Sequence, residues 1–499
     1  MRSNGVVLVV MDGVGVREEE DRNAVKIADT PNLDRIFSTN PYTELEASGK
    51  VVGLPPGYMG NSEVGHLHIG SGRTVPQELL RINRMIGDGS LFEEEALKDA
   101  AEHAREEDST VHVMGIASDG GVHGHIDHFL ALMEFFSEEG CDVESHPFLD
   151  GRDVPPRSAD RYLERVEEEA DELGNGEIGS FMGRYYSMDR DNNWGRTEKA
   201  YNALVHGQGH EASDWEEGLE ERYGEDRNDY FVEPVILDGF EPVQNGDVVV
   251  FSNWRKDRAR QLTEAFVDRG FERFETEELP DLFFVSMKQY RDDFDNPSVL
   301  EEETVETTLG EVLSRKELEQ LRLTESQKEP HVTYFFDGQR EKKFPGTDTK
   351  IFKSADVPSY DEKPEMEAEK ITSHAEKVME NGTYDFVLLN YPNGDLVGHT
   401  SDLEAAVEAV ETMDQMVGRL EGSAEENGYT LIITSDHGNC EDMTEENETS
   451  HTLNDVPFCI VNGGGKNLRR GGLVNVAGTV LDLLGLETPG VMEDPLFEE

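Results

Sequence analysis

Six residues combine the side-chain types that bind divalent metal: Asp12, Asp395, His399, Asp436, His437 and His451. Deprotonated aspartate and neutral imidazole together suit a borderline ion such as Mn²⁺ or Zn²⁺, whereas Mg²⁺ and Ca²⁺ prefer oxygen alone. Six such ligands exceed the needs of one tetrahedral site. Two ions a few ångströms apart are the natural reading, an arrangement that clamps the attacking and leaving oxygens of a phosphoryl transfer. Each piece alone has a plainer explanation. Asp12-Gly13 is a turn signal, Asp395 to His399 could be a helix cap with a surface histidine, and Asp436-His437-Gly438 could be a loop. Their joint occurrence favours metal.

A serine between glycines, Gly60-Asn61-Ser62-Glu63-Val64-Gly65-His66, falls where a helix is expected to start. There it would have backbone N–H donors nearby and the positive end of the helix dipole behind it, which favours a phosphoryl group. Serine is a weak nucleophile at neutral pH, and metal coordination activates it. The bland reading is a helix cap. Five arginines, Arg152, Arg184, Arg190, Arg255 and Arg258, stand just past other strand-like runs. Guanidinium forks bind carboxylate and phosphate in bidentate fashion, so in a chain short of positive charge they point to a small anionic substrate. A competing signal is His123-Gly124-His125-Ile126-Asp127-His128, similar to the dinuclear zinc signature of metallo-β-lactamase-type hydrolases. That reading leaves the other Asp/His pairs and the arginines without a role. His66 and His68 are expected to pack or to face solvent.

These residues must be positioned by strands. Apolar, β-branched runs occur at Val6–Met11, Val111–Ala117, Val143–Leu149, Glu177–Met182, Val248–Ser252, Leu282–Ser286, Val332–Phe336, Phe386–Leu389 and Leu431–Thr434. Each is followed by a glycine-containing turn and then by helical spacing, the alternation of parallel α/β architecture. Ligand sites in open α/β sheets gather at the carboxyl ends of strands. Metal-type residues follow runs in the first dozen and the last hundred or so residues; arginines follow the middle ones. The chain therefore reads as two α/β domains. One is discontinuous, 1–76 and 304–499, and binds metal; the other, 77–303, is inserted into it and binds substrate.

The 499 residues include 107 Asp or Glu against 45 Lys or Arg, a net charge of −62. Such a charge argues against nucleic acid, which recruits clustered Lys and Arg. No apolar window approaches the ~18 residues of a membrane helix and no signal peptide is legible, so no membrane role is expected. Three cysteines cannot build a disulfide framework, which fits a reducing, cytoplasmic location. With 16 Lys to 29 Arg, the acidic composition resembles that of salt-accumulating halophiles. There a Debye length of roughly 3 Å near 1 M salt quenches self-repulsion.

Taken in order, Val9 to Gly13, Met59 to His66, Ser118 to His123, Leu149 to Pro156, Gly183 to Tyr186 with Met188 to Asp191, Arg258 to Gln261, Asp395 to His399 and Ser435 to Asn439 closely resemble the 2,3-bisphosphoglycerate-independent phosphoglycerate mutases, from about Val6 to Leu484. The resemblance implies an alkaline-phosphatase-like α/β domain with an inserted α/β transferase domain. It also implies two Mn²⁺, other divalent ions being possible, and interconversion of 3-phosphoglycerate and 2-phosphoglycerate through a phosphoserine at Ser62. One metal would be held by Asp395, His399 and His451, the other by Asp12, Ser62, Asp436 and His437. His123, Arg152, Asp153, Arg184, Arg190, Arg255, Arg258 and Lys328 would contact substrate, Asp153 exchanging protons with its hydroxyls. Closure of the two domains would keep water from the intermediate, and a monomer is expected. Lys256, Asn193 and Leu453 depart from the family pattern, which bears on substrate affinity and not on reaction type. A phosphatase or sulfatase on the same metal core is the alternative among enzymes. An acidic metal-storage protein is the alternative outside them.

Overall fold

The computed structural model describes residues 5–224, 228–301, 303–444 and 450–498. The chain divides into two compact units, 1–77 with 303–499, and 78–302. Along the chain the strands are β1 (Val6–Met11), β2 (Tyr42–Glu46), β3 (Val111–Ile116), β4 (Val143–Leu149), β5 (Gly176–Ile178), β6 (Ser180–Gly183), β7 (His210–Ala212), β8 (Val235–Leu237), β9 (Val248–Phe251), β10 (Phe283–Lys288), β11 (Ser298–Leu300), β12 (Gln320–Glu325), β13 (Thr347–Phe352), β14 (Phe386–Tyr391), β15 (Thr430–Thr434), β16 (Val456–Val461) and β17 (Gly471–Gly472).

In the first unit the sheet order is β13-β12-β14-β1-β15-β16-β2-β17. The five strands from β13 to β15 are parallel, while β16 runs antiparallel to both β15 and β2. β1 is central because all six of its side chains are apolar and can be covered on both faces. Val7, Val9 and Met11 enter one core with the inner face of the helix Leu403–Asn427; Val6, Leu8 and Val10 enter the other with Leu473 and Val480. Each fully buried side chain of this size contributes about 1.5–3 kcal/mol. The long helix is bounded by Asp402, whose side chain accepts from Ala405 N, and by Gly428 at φ +70°.

The second unit repeats the principle with the order β11-β10-β9-β3-β4-β6-β8-β7, β5 pairing with β4. All its neighbours are parallel except β6 and β8. One expected strand is corrected. Val332–Phe336 lies in a helical turn, His331–Phe335, preceded by Pro330. Val332 and Phe336, four residues apart, are fully buried while the three between them are partly exposed, a helical spacing that outweighs the β-branched and aromatic composition.

Candidate active site

Four neighbouring strands of the first sheet, β12, β14, β1 and β15, release their chemistry at their carboxyl ends. β1 delivers Asp12, and β15 delivers Ser435, Asp436 and His437. β14 delivers Asn390 and then the short helix Asn393–Gly398, which carries Asp395 and is capped by His399. β12 leads through the turn Ser326–Lys328 to Lys328. Gly13, at φ +76°, permits the approach of Asp12 to Asp395, since a Cβ there would lie 2.6 Å from the Asp395 Cα. Asn61 caps the helix Ser62–Ser71 by accepting from Val64 N, so Ser62 is its first residue.

Ser62 Oγ lies at the focus of the cluster. It donates to Asp12 Oδ1 at 3.1 Å, and His437 Nε2 stands 2.9 Å away. Lys328 Nζ donates to Ser62 Oγ at 2.6 Å, Asp12 Oδ1 at 2.8 Å and Asp395 Oδ2 at 2.7 Å. Asp395 Oδ1 is 3.1 Å from His399 Nε2 and 3.2 Å from His451 Nε2, and those two nitrogens are 3.1 Å apart. Asp395, His437 and His451 bring one ligand atom each within 4.8 Å of one another, and so do Asp12, Asp436 and His437. His437 thus belongs to both groups.

The donor set fits divalent metal. His451 Nδ1 donates to Gly60 O and His437 Nδ1 to Gly438 O, on the tautomers their partners assign, which turns both Nε2 lone pairs inward. Asp436 Oδ2 is buried and makes no hydrogen bond. Burial works against a charge on Asp12 and Asp395, yet Lys328 holds both carboxyls well below the usual range. Burial likewise opposes charge on Lys328 and His437. The surrounding aspartates override it, raising the Lys328 ammonium and pushing His437 up to about 10. Carboxylates that favour a proton on His437 favour a cation at the same place.

The second unit builds a different cluster in the same way, at the ends of β9, β3, β4 and β6. Arg184 follows β6, is fully buried, and donates through Nη1 to Asp150 Oδ1 at 2.6 Å and to Asp153 Oδ2. Asp150 also accepts from Ser118 Oγ and from the amides of Arg152 and Asp153. Asp257 gathers Arg190 Nη1 at 2.7 Å, Arg255 Nε at 3.3 Å and His123 Nδ1 at 3.6 Å. Arg258, buried, donates to Met188 O. Burial first, then Arg184 and Arg255, hold His123 in its neutral form; burial, Arg184 and Arg190 lower the Arg258 pKa. Arginines that weaken one another's charge gain from an anion among them. Arg152 is exposed.

The structure therefore brings Asp12, Ser62, Lys328, Asp395, His399, Asp436, His437 and His451 together in the first unit. His123, Asp153, Arg184, Arg190, Arg255 and Arg258 assemble in the second. Residues given no role by the sequence also belong here. Asn390 Nδ2 donates to Asp12 Oδ2 at 2.7 Å and to His66 Nε2 at 3.2 Å, and His66 Nδ1 donates to Ser62 O. Asn439 Nδ2 donates to Asp395 Oδ1, and Asp150 and Asp257 brace the arginines. Asn390, immediately after the last β14 apolar residues, carried a positional signal; Asp257, between two arginines, carried none. Of the departures, Leu453 is 51% exposed and Asn193 hydrogen-bonds Asp189.

The metalloenzyme superfamily matches residues 4–488 and defines the class of this protein. A 2,3-bisphosphoglycerate-independent phosphoglycerate mutase of Moorella thermoacetica is 47% identical over 98% of this chain and 97% of its own length. One from Clostridium beijerinckii is 46% identical over 99% and 98%. The crystal structure of Leishmania mexicana phosphoglycerate mutase at low cobalt concentration superposes with a TM-score of 0.78 at 32% identity, covering 100% of this chain and 98% of that one. The chain belongs to the 2,3-bisphosphoglycerate-independent phosphoglycerate mutase family. Among the described residues no helix is long and apolar enough to cross a membrane.

Proposed function

We propose that the protein interconverts 3-phosphoglycerate and 2-phosphoglycerate through a phosphoserine at Ser62, using two divalent ions, with Mn²⁺ the ion expected from the mixed carboxylate and imidazole donors. The observation that carries this reading is the position of Ser62 Oγ, at a helix start and within 3.1 Å of His437, Lys328 and Asp12. One ion would be held by Asp395, His399 and His451, the other by Asp12, Asp436, His437 and Ser62. Bound there, the ions supply Lewis-acid neutralisation of phosphoryl oxygens and ease loss of the serine proton.

The remaining work falls to the chain. Ser62 Oγ attacks phosphorus, the bond from phosphorus to the C3 oxygen breaks, and that oxygen takes up a proton. Lys328 offsets charge on the phosphoryl oxygens. His123, Arg152, Arg184, Arg190, Arg255 and Arg258 retain glycerate by its carboxylate and hydroxyls. Asp153, anchored by Arg184, moves the proton between the two hydroxyls. The C2 oxygen then attacks the phosphoserine and regenerates Ser62. A monomer in the cytoplasm completes the proposal, with domain 304–499 joined to 1–76 as the metal-binding part and 77–303 as the substrate-binding part.

The test is a coupled mutase assay in molar KCl, with and without 2,3-bisphosphoglycerate and Mn²⁺. Turnover should need Mn²⁺, ignore 2,3-bisphosphoglycerate and vanish in Ser62→Ala. Wild-type turnover in Ser62→Ala would end the proposal, and release of free phosphate as the main product would make the protein a phosphatase.

A further inference from the structure

Behind the turn that carries Lys328, the first unit holds a separate cavity of about 520 Å³ between β12, β13 and the helical turn His331–Phe335. Its floor is Arg322, which projects from β12 beside Thr349 of β13 and is fully buried. Nη2 donates to Gln320 Oε1 at 2.9 Å and reaches Asp337 Oδ1 at 3.4 Å, while Nε and Nη1 have no hydrogen-bond partner. The guanidinium lies 4.5 Å from the Phe336 ring centre and 5.6 Å from that of Phe386, contacts that attract its charge and leave Nε and Nη1 without an oxygen or nitrogen acceptor. Thr347 Oγ1, on the same wall, is also buried without a partner. Two independent side chains thus leave buried polar atoms unsatisfied around one space, where each costs about 1–3 kcal/mol.

Four cations gather at this space in a chain with 107 acids to 45 bases: Arg322, Arg340, Lys342 and Lys343 line it beside three carboxylates, Arg340 being paired outside the lining with Glu311 at 2.9 Å and Lys343 with Asp348 at 3.8 Å. Of the three lining carboxylates, Glu329 and Glu341 are exposed at the rim. Only Asp337 is buried, and it meets Arg322 through a single contact at 3.4 Å. None of the four cations serves the metal cluster or the arginine cluster of the second unit.

We propose that this cavity binds a small tetrahedral oxyanion, with the Arg322 guanidinium and the Thr347 hydroxyl as its buried donors and Lys342 and Lys343 at its mouth. Buried, unpartnered donors on two adjacent strands beside a space far larger than one monatomic ion suit a polyatomic acceptor. Free phosphate or sulfate and the phosphoryl group of a small metabolite share this chemistry.

Selenate is the probe, because its selenium can be located directly. Crystals of the Mn²⁺-loaded enzyme grown in potassium selenate should show an anomalous peak within hydrogen-bond reach of Arg322 and Thr347. In solution, selenate should raise the melting temperature at constant ionic strength. Arg322→Met should abolish that rise, and Thr347→Val or Lys342→Ala, which spare the buried guanidinium, should weaken selenate about tenfold. Ser62→Ala should keep it. Loss of the peak on adding orthophosphate alone identifies a free-ion site, and loss with 3-phosphoglycerate a metabolite site. No selenium at Arg322, selenium confined to the metal or arginine clusters, or a rise unchanged in Thr347→Val and Lys342→Ala would overturn the proposal.

Discussion

Lys328→Met separates the structural from the chemical role of the buried lysine. Its Nζ, almost fully buried, is the cation that hydrogen-bonds both Asp12 and Asp395. Removing one partner of a buried ion pair costs about 3–5 kcal/mol, because a charge is left uncompensated. For a unit of this size each kcal/mol moves the melting temperature by about 2–4 °C, so the metal-free variant should melt roughly 6–20 °C below wild type. The pH dependence has a defined sign. The carboxyls, whose pKa values are lowered, contribute stability that is present above about pH 4 and lost as pH falls through their folded values. Lys328, whose pKa is raised, contributes stability that is fully present below about pH 10. The deficit should therefore be complete at pH 7 and shrink below pH 4. Saturating Mn²⁺ should erase most of it, since the divalent ions proposed to bind there would neutralise the same carboxylates, while kcat stays roughly 100-fold or more below wild type. Differential scanning fluorimetry with and without metal, beside the coupled assay, reads both effects. A metal-free variant melting within 2 °C of wild type, or a deficit unchanged by Mn²⁺, would refute the reasoning.

Arg184→Lys keeps the charge but loses the planar guanidinium whose Nη1 binds both Asp150 and Asp153, so kcat/KM should fall about 100-fold with unchanged circular dichroism; a fall below threefold counts against the role assigned to Arg184. With 62 excess negative charges, the protein should melt several degrees higher in 2 M KCl than in 0.1 M, and a melting temperature indifferent to salt would contradict this. Glu144 is pushed up to about 8 by burial and by its neighbours Glu241, Glu177 and Asp247. Between about pH 4 and 8 the folded chain holds a proton the unfolded chain has lost, so stability falls as pH rises through that window. Glu144→Gln should remove that slope; identical pH profiles for variant and wild type would show that Glu144 does not titrate as its burial implies.

Asp12, Asp395, Asp436 and His437 were legible because they stand within a few positions of uninterrupted apolar runs, whereas His399 and His451 stand further off. Val6–Met11 and Leu431–Thr434 can only be strands covered on both faces, and Asp12, Asp436 and His437 follow directly. Arg184 after Gly183 was legible for the same reason. β12 was not, because its six buried residues include Arg322 and Glu325, whose charges mask the apolar pattern. The strand expected nearby, Val332–Phe336, became a helical turn, since Pro330 and the burial of residues four apart outweigh β propensity. Lys328 could be reached only through family resemblance, because nothing local marks a lysine in a polar turn as the partner of Asp12, 316 positions away. Asn390 and His66 are bound into the site by tertiary hydrogen bonds that no spacing encodes.

β1 lies between β14 and β15, so its hydrogen-bonding edges belong to segments that begin 380 or more residues later. At a ribosomal pace of about 5–20 residues per second, this apolar strand waits roughly 20–80 s for its neighbours, while every residue of the 78–302 unit has already been made. The proposed metal centre, which draws on both Asp12 and His451, would not be complete before residue 451 has been made. The same delay leaves Val-Val-Leu-Val-Val-Met open to self-association during synthesis, and the abundant acidic residues of the growing chain oppose it.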